Sequence, residues 1–141
     1  MNCTIRQIKV FAVILTIVGM GLYWGLSSVS AHEGHSHAPA YAKKLKSPIQ
    51  GSQEDLDHGK AFYSQFCGSC HGSDGKAENA PPMKVKPADL TDHHVHMLTE
   101  GEIYWEVTHG IAGSGMPACK TKMTVTQRWQ VVAYVRTLGK M

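Results

Sequence analysis

The stretch Cys67-Gly68-Ser69-Cys70-His71 determines how the rest of this 141-residue chain is interpreted. The pattern Cys-x-x-Cys-His is the signature of covalent attachment of c-type haem. Two thiols separated by two residues can add to the two vinyl groups on one porphyrin edge, and the following histidine is then carried beneath the iron. We therefore expect Cys67 and Cys70 to form thioethers and His71 to be the proximal axial ligand.

Two other uses of a Cys-x-x-Cys pair have less support in this sequence. A thioredoxin-like redox pair belongs to a strand–helix unit, and no such pattern surrounds these residues. A zinc site usually takes a second pair of ligands at similar spacing, but Cys119 stands alone and Cys3 lies at the start of the N-terminal apolar segment. Attachment of one haem c is therefore the prediction.

Segments on both sides of the motif carry the local signals of helices. Each predicted helix begins with a capping box, a Ser or Thr followed three residues later by an acid or Gln: Ser52–Asp55, Thr99–Glu102 and Thr124–Gln127. The helices span residues 52–66, 99–110 and 124–139, and the Gly- and Pro-containing stretches between them are predicted as loops. No alternating strand pattern stands out, so we predict an all-α domain over residues 52–141.

Three stretches of this domain resemble the class I c-type cytochromes. Residues 59–72, which include the haem motif, are similar to their N-terminal helix and attachment site. Gly113-Ser-Gly-Met-Pro-Ala118 resembles their axial methionine loop, and residues 129–138 resemble their C-terminal helix. The resemblance implies a small cytochrome c fold of three or more helices around one covalently bound haem.

The resemblance also implies a close crossing of the first and last helices. Gly59 and Tyr63 would meet Val131 and Tyr134 at this crossing, where the missing side chain of Gly59 permits the approach. In this family a backbone carbonyl next to a proline orients the proximal histidine. Pro81 and Pro82 are the candidates for this part of the haem pocket.

The sixth iron ligand is predicted to be Met116. It lies between glycines and a proline, so its loop can present the thioether, and it matches the family's Gly-Met-Pro pattern. A His/Met pair raises the reduction potential relative to two histidines. Of the other methionines, we expect Met83 to line the haem pocket, Met97 to pack in the core and Met123 to pack near the last helix.

Several other residues have plausible local roles. His109 is expected to end the middle helix, where a cation suits the helix dipole. Cys119 is expected to be a buried small apolar residue, with a disulfide between chains as the alternative. His93, His94 and His96 are expected to be solvated in a loop, although three such residues could also bind a metal.

The first 31 residues differ from the rest of the chain. Arg6 and Lys9 precede a charge-free apolar run, Val10 to Ala31, which is typical of a signal peptide or a membrane anchor. Cleavage after Ala31 and retention as an anchoring apolar helix remain alternatives. Both would place residues 32–141 on the periplasmic side of a cytoplasmic membrane.

Residues 32–51 read as a flexible linker with little to contribute to a core. Three histidines lie at its start, His32, His35 and His37. They are expected to be solvated, with copper or zinc binding as the alternative.

The charge balance bears on the partners. Once Arg6 and Lys9 are set aside, 12 of the 14 Lys and Arg residues remain against 11 acids, so nucleic-acid binding is not expected. A basic rim near the haem edge would steer the domain onto acidic partner proteins, through Lys76, Lys84, Lys86, Lys120 and Lys122.

These features predict a one-electron carrier that exchanges electrons with redox partner proteins and has no small-molecule substrate. The N-terminal segment would add contact with the membrane if it is not cleaved. One alternative is a haem subunit of a larger respiratory oxidoreductase complex. Another is a peroxidase or ligand-sensing haem protein, which would require Met116 to be displaced from the iron.

Overall fold

The computed structural model describes residues 36–139, so the apolar segment and its predicted export role lie outside the described part. Residues 36–139 form one short 3-10 helix, Ala40–Lys44, and five α-helices. The α-helices are α1 (Gln53–Phe66), α2 (Gly68–His71), α3 (His93–Met97), α4 (Glu100–His109) and α5 (Val125–Val135). The described residues contain no β-strand, only an isolated bridge between Ile111 and Met116. The all-α prediction is confirmed.

The three predicted capping boxes are all present. In each box the Ser or Thr side chain accepts a hydrogen bond from the backbone N–H of the residue three positions later. The side chain of that later residue in turn accepts a hydrogen bond from the backbone N–H of the Ser or Thr. The pairs are Ser52–Asp55, Thr99–Glu102 and Thr124–Gln127. These bonds satisfy amides that the helix itself leaves free. The last helix ends earlier than predicted, at Val135, because the chain then tightens into turns in which the Leu138 amide bonds to the Val135 carbonyl.

Helices α1 and α5 cross at close range, as the resemblance implied. A Cβ on Gly59 would clash with the backbone carbonyl of Gln130 and would lie 3.0 Å from the Cβ of Tyr134. One turn further along α1, Tyr63 is buried, and its ring centroid lies 5.2 Å from that of Tyr134. Only a glycine at position 59 lets the two helices approach so closely.

The core lies between α1, α4 and α5. Its buried members include Cys119, which was predicted to be buried, and Met123, which was predicted to pack near the last helix, at 6% and 4% exposure. The prediction for Met97 is wrong, because this side chain is 70% exposed. Met97 ends α3, a helix that was expected to be loop, and Val95 takes the inward position of that helix.

A buried arginine connects α5 to the loop before it. The Arg128 guanidinium donates to the backbone carbonyls of Met123 and Lys120, at 2.5 and 3.3 Å, and to the hydroxyl of Tyr104 at 3.0 Å. Its side chain is buried and also lies over the Tyr104 ring, which stacks on Trp129. Arg128 thus holds the end of the loop that contains Met116 against α4 and α5.

Residues 36–49, which we call the N-terminal strap, pack against the helical domain. The prediction of a flexible linker is therefore wrong for these residues, whereas His32 and His35 lie outside the described part. Ala42 is fully buried, and its carbonyl oxygen occupies the position that a Cβ on Gly101 would need. Leu45 and Ile49 pack against the core. The sequence signal was weak because only three apolar side chains of the strap face inward.

Two carboxylates of α4 also contact the strap. Glu106 Oε1 accepts hydrogen bonds from the His37 amide at 3.0 Å and the Ser36 hydroxyl at 3.4 Å. Burial raises the pKa of Glu106, and these bonds only partly oppose the rise. Burial also acts to raise the pKa of Glu102, but its capping hydrogen bonds and the nearby Lys43 outweigh that effect and lower it.

None of the helices within residues 36–139 combines the length and the apolar character needed to cross a membrane.

Candidate haem site

The Cys-x-x-Cys-His motif forms one helical turn directly after α1. The Cys67 amide donates to the Tyr63 carbonyl at 2.8 Å, and the His71 amide donates to the Cys67 carbonyl at 2.9 Å. Positions separated by three and four residues lie on the same side of a helix. The turn therefore presents Cys67, Cys70 and His71 together, which is the arrangement expected for a group bound by all three.

Both cysteines of the motif are free thiols, and so is Cys119. Burial raises the pKa of the Cys67 thiol to about 12, with smaller contributions from the nearby Cys119 and Cys70. Cys67 is half-buried and packs against the core. The pair is thus unpaired and available for thioether formation.

The imidazole of His71 is oriented by a backbone carbonyl. Its Nδ1 lies 3.0 Å from the carbonyl oxygen of Ala88. Because a carbonyl can only accept, the proton belongs on Nδ1, and the Nε2 lone pair is left for a metal. Burial lowers the pKa of His71, and the bond to Ala88 only partly opposes this, so the neutral ligand form is favoured.

The orienting carbonyl is not the one expected. Pro81 and Pro82 were the candidates, but both are exposed, and the carbonyl belongs to Ala88, directly after Pro87. The loop after the motif extends beyond Pro81 and Pro82 before the chain comes back to the motif. A hydrogen bond from the Leu90 amide to the Gly75 carbonyl, at 2.8 Å, joins its two ends. This bond places Ala88, two residues earlier, beside the histidine ring.

Met116 lies in a tight turn that begins at Ile111. The Ile111 amide donates to the Met116 carbonyl at 3.1 Å, and the Met116 amide donates to the Ser114 hydroxyl at 3.1 Å. Gly113 and Gly115 both have positive φ angles, which a side chain would strain. The Met116 side chain is half-buried against the core. The backbone of this methionine is therefore held in the turn by hydrogen bonds at both its amide and its carbonyl.

The loop after the haem motif touches the methionine loop. The Met83 Cε lies 2.8 Å from the position of a Cβ on Gly115. Met83 is half-buried in this contact, and its place in the haem pocket stays a prediction. The donors present fit haem c: two free thiols and a histidine with a free Nε2 on one turn, together with a half-buried thioether in a fixed loop.

The family model for subunit III of cbb3-type cytochrome c oxidase matches residues 54–135. The chain belongs to this family. It is a c-type cytochrome, and its domain indicates an electron-transfer haem protein and not an enzyme in its own right. The N-terminal strap lies before the matched residues.

Two redox proteins are similar to part of this cytochrome. The quinohaemoprotein alcohol dehydrogenase ADH IIB of Pseudomonas putida is 24% identical over 98 residues, which make up 70% of this chain and 13% of the dehydrogenase. A chain of the reducing HAO-like protein complex of Kuenenia stuttgartiensis matches with a TM-score of 0.54 at 21% identity, over 70% of this chain and 54% of that one. The structural match shows the fold alone.

Sequence reasoning missed several contacts of the site. The Ala88 carbonyl and the Ser114 hydroxyl support the two predicted axial ligands, and the Tyr63 hydroxyl donates to the Gly72 carbonyl at 2.8 Å. Pro87 was a usable signal for the first contact, since it is a third proline in the same loop. The other two contacts depend on how the chain folds back on itself.

Proposed function

We propose that this cytochrome is a one-electron carrier with a single haem c, bound covalently through Cys67 and Cys70 and ligated by His71 and Met116. The observation that carries the proposal is the 3.0 Å contact between His71 Nδ1 and the Ala88 carbonyl. It orients the ring of a histidine that has two free thiols on the same turn.

The arrangement suits electron transfer better than substrate chemistry. When bound, the haem supplies an iron that changes reversibly between two oxidation states. If His71 and Met116 hold the haem iron as proposed, no ligand position would be left for a substrate, and the thioether would raise the reduction potential. The rigid turn around Met116 favours permanent ligation, whereas a peroxidase or a sensor needs that ligand to leave.

Replacing the methionine tests the ligation. In Met116→Ala we expect the thioether-to-iron absorption band at the red end of the spectrum to disappear and the reduction potential to fall. Met97→Ala is the matched control, because Met97 is 70% exposed and should leave both unchanged. Survival of the band in Met116→Ala would exclude this residue as the ligand.

Covalent attachment has its own test. Haem should remain with the polypeptide on a denaturing gel of the native sequence and should be lost when both Cys67 and Cys70 are changed to Ala. The Cys119→Ala variant is the control, because its thiol lies outside the motif. Release of haem from the native chain under denaturing conditions would contradict thioether attachment.

The location proposed for the cytochrome is the periplasmic side of the cytoplasmic membrane. Its support is the pattern of Arg6 and Lys9 before the apolar run up to Ala31. The N-terminal sequence of the mature protein separates the two forms, since a released carrier would begin at His32 and an anchored one would keep the apolar run.

A haem subunit of a larger oxidoreductase complex is the second candidate. The family is named for an oxidase subunit, and both named relatives are redox proteins larger than this chain. Purification in mild detergent distinguishes the two, because a subunit would bring other redox proteins with it in fixed proportion.

A further inference from the structure

The outer side of the N-terminal strap follows from its 3-10 geometry. In such a helix, side chains three positions apart lie one above the other. Ala42 and Leu45 have this spacing and take the inward side, since Ala42 is fully buried and Leu45 packs against the core. The other long side chains of this part of the strap are exposed: Tyr41, Lys43, Lys44 and Lys46. The strap therefore presents one aromatic ring and three lysines to its surroundings.

Two large apolar side chains beside the strap are open to solvent. Tyr41 is 61% exposed and Met97 is 70% exposed, the highest values among the large apolar residues within 36–139. Met97 lies close to the strap, because together with Lys43 it lines a cavity of about 440 Å³ between the strap and α3. Neighbouring apolar groups that stay exposed on a protein surface are typical of a contact with a partner or a membrane.

The strap is also positively charged. It contains no Asp or Glu but three lysines within four residues. The ammonium group of Lys43 lies 3.8 Å from the buried carboxylate of Glu102, which offsets one of these charges. No carboxylate within residues 36–139 forms an ion pair with Lys44 or Lys46. Two lysines of the strap therefore keep their charge for an external group.

We call Tyr41, Lys43, Lys44, Lys46 and Met97 the strap face. We propose that the strap face lies on the surface of a lipid bilayer that contains anionic phospholipids. Tyrosine is favoured at the boundary between hydrocarbon and water, and lysines attract negatively charged headgroups. The indole Nε1 of Trp105 donates to the Tyr41 hydroxyl at 3.2 Å and holds that ring against α4. The folded domain would thus contact the membrane itself, in addition to any contact made by the apolar run.

The position of the strap in the sequence favours a membrane over a protein partner. The apolar run ends at Ala31, and only four residues separate it from Ser36 at the start of the strap. An extended chain covers at most about 3.6 Å per residue, so this connection reaches roughly 18 Å. An uncleaved run in the bilayer would therefore limit how far the strap can move from the membrane surface. The inference rests on the location proposed above.

The test is hydroxyl-radical footprinting of the full-length holoprotein in lipid nanodiscs, with labelled residues identified by mass spectrometry. At low salt we expect Tyr41 and Met97 to be labelled about fivefold more slowly in discs that contain phosphatidylglycerol than in discs of phosphatidylcholine alone, since one lysine at an anionic surface changes binding by about that factor. High salt should abolish the difference. Val125 is the reference, because it is 53% exposed on α5, which does not contact the 3-10 helix of the strap.

Charge reversal identifies the groups responsible. In Lys44→Glu/Lys46→Glu we expect the difference between the two lipids to disappear. The matched control is Lys84→Glu/Lys86→Glu, which makes the same change of charge at the same spacing in exposed residues outside the strap. This control should keep the difference. If the mature chain begins at His32, that form is footprinted on vesicles of the same two lipid compositions.

Three outcomes would overturn the proposal. The first is equal labelling of Tyr41 and Met97 in both lipids. The second is an equal effect of the two double variants, since net charge would then explain the difference. The third is protection in native membranes but not in discs with phosphatidylglycerol, which would assign the strap face to a protein partner. The carrier function is tested separately, by the absorption spectrum and redox titration of the same holoprotein, and these do not depend on the lipid.

Discussion

Substitution of Gly59 tests the helix crossing that holds the candidate haem site. A Cβ at this position would clash with the Gln130 carbonyl oxygen and lie 2.7 Å from its carbonyl carbon. These are backbone atoms, so no side-chain rotation relieves the clash, and α1 must move away from α5. Tyr63 and Tyr134, which pack on each other beside the glycine, would lose contact as the helices separate.

The loss in the free energy of unfolding that we expect for Gly59→Ala can be estimated from two opposing effects, helix propensity and overpacking. An alanine in a helix is about 1 kcal/mol more favourable than glycine. Overpacking a core contact costs about 1–3 kcal/mol, and a gap of about 0.5–1 Å between the helices forfeits a quarter to a half of the dispersion energy across it. We expect Gly59→Ala to lower the free energy of unfolding by about 2 kcal/mol, and Gly59→Leu to prevent stable folding.

Thermal unfolding followed by helical circular dichroism measures this loss. At about 4–8 °C per kcal/mol for a domain of this size, the Tm of Gly59→Ala should fall by about 8–16 °C. Lys60→Ala is the control, because Lys60 is the next residue of α1 and is exposed. An unchanged Tm in Gly59→Ala, or a fall no larger than that of Lys60→Ala, would refute the close crossing.

Other predictions follow from the buried polar groups and the strap. Arg128→Met should lower the free energy of unfolding by about 2–4 kcal/mol in a denaturant titration, because it leaves two carbonyls and a hydroxyl without their donor; an effect below 0.5 kcal/mol would contradict this. Gly101→Ala should release the strap, seen as faster proteolysis at residues 36–49, since a Cβ there collides with the Ala42 carbonyl; an unchanged cleavage rate would contradict the close docking. The carboxylates of α4 should act in opposite directions with pH. The raised pKa of Glu106 means that its contribution is most favourable below the unfolded value of 4.5 and declines as pH rises through the folded value, whereas the lowered pKa of Glu102 gives stability above 4.5 that is lost on acidification. Stability curves from pH 3 to 8 of Glu106→Gln and Glu102→Gln should therefore differ from the native curve with opposite slopes, and parallel curves would disprove the assignment.

The helices were predictable because their signals are local. The caps at Ser52, Thr99 and Thr124 each need only a partner three residues away, and the chain supplies it in every case. Helix α3 shows the limit of this reasoning. Asp92 caps it through a single hydrogen bond from the His94 amide, without the reciprocal bond of a capping box, and three of its five residues are histidines, so the sequence did not indicate this helix of little more than one turn.

The parts that sequence reasoning got wrong depend on the path of the chain between distant residues. The carbonyl of Ala88, and not one near Pro81 or Pro82, orients His71 because the Leu90 amide bonds to the Gly75 carbonyl. No local sequence pattern predicts that hydrogen bond. The docking of the strap likewise depends on Gly101, almost 60 residues further along the chain, being small enough to receive Ala42. Motif chemistry predicted the ligands, but the groups that support them could be found only in the folded structure.

The contact between Ala42 and Gly101 has a practical consequence for recombinant work. A gene fragment trimmed to the family match, residues 54–135, would omit Ala42, Leu45 and Ile49 and leave the side of α4 that they cover facing water. Newly exposed apolar surface of this kind promotes aggregation. A fragment that starts at the family boundary should therefore be less soluble than one that starts at Ser36. In this cytochrome the residues that match the family, 54–135, do not include all the residues that pack together in the folded domain.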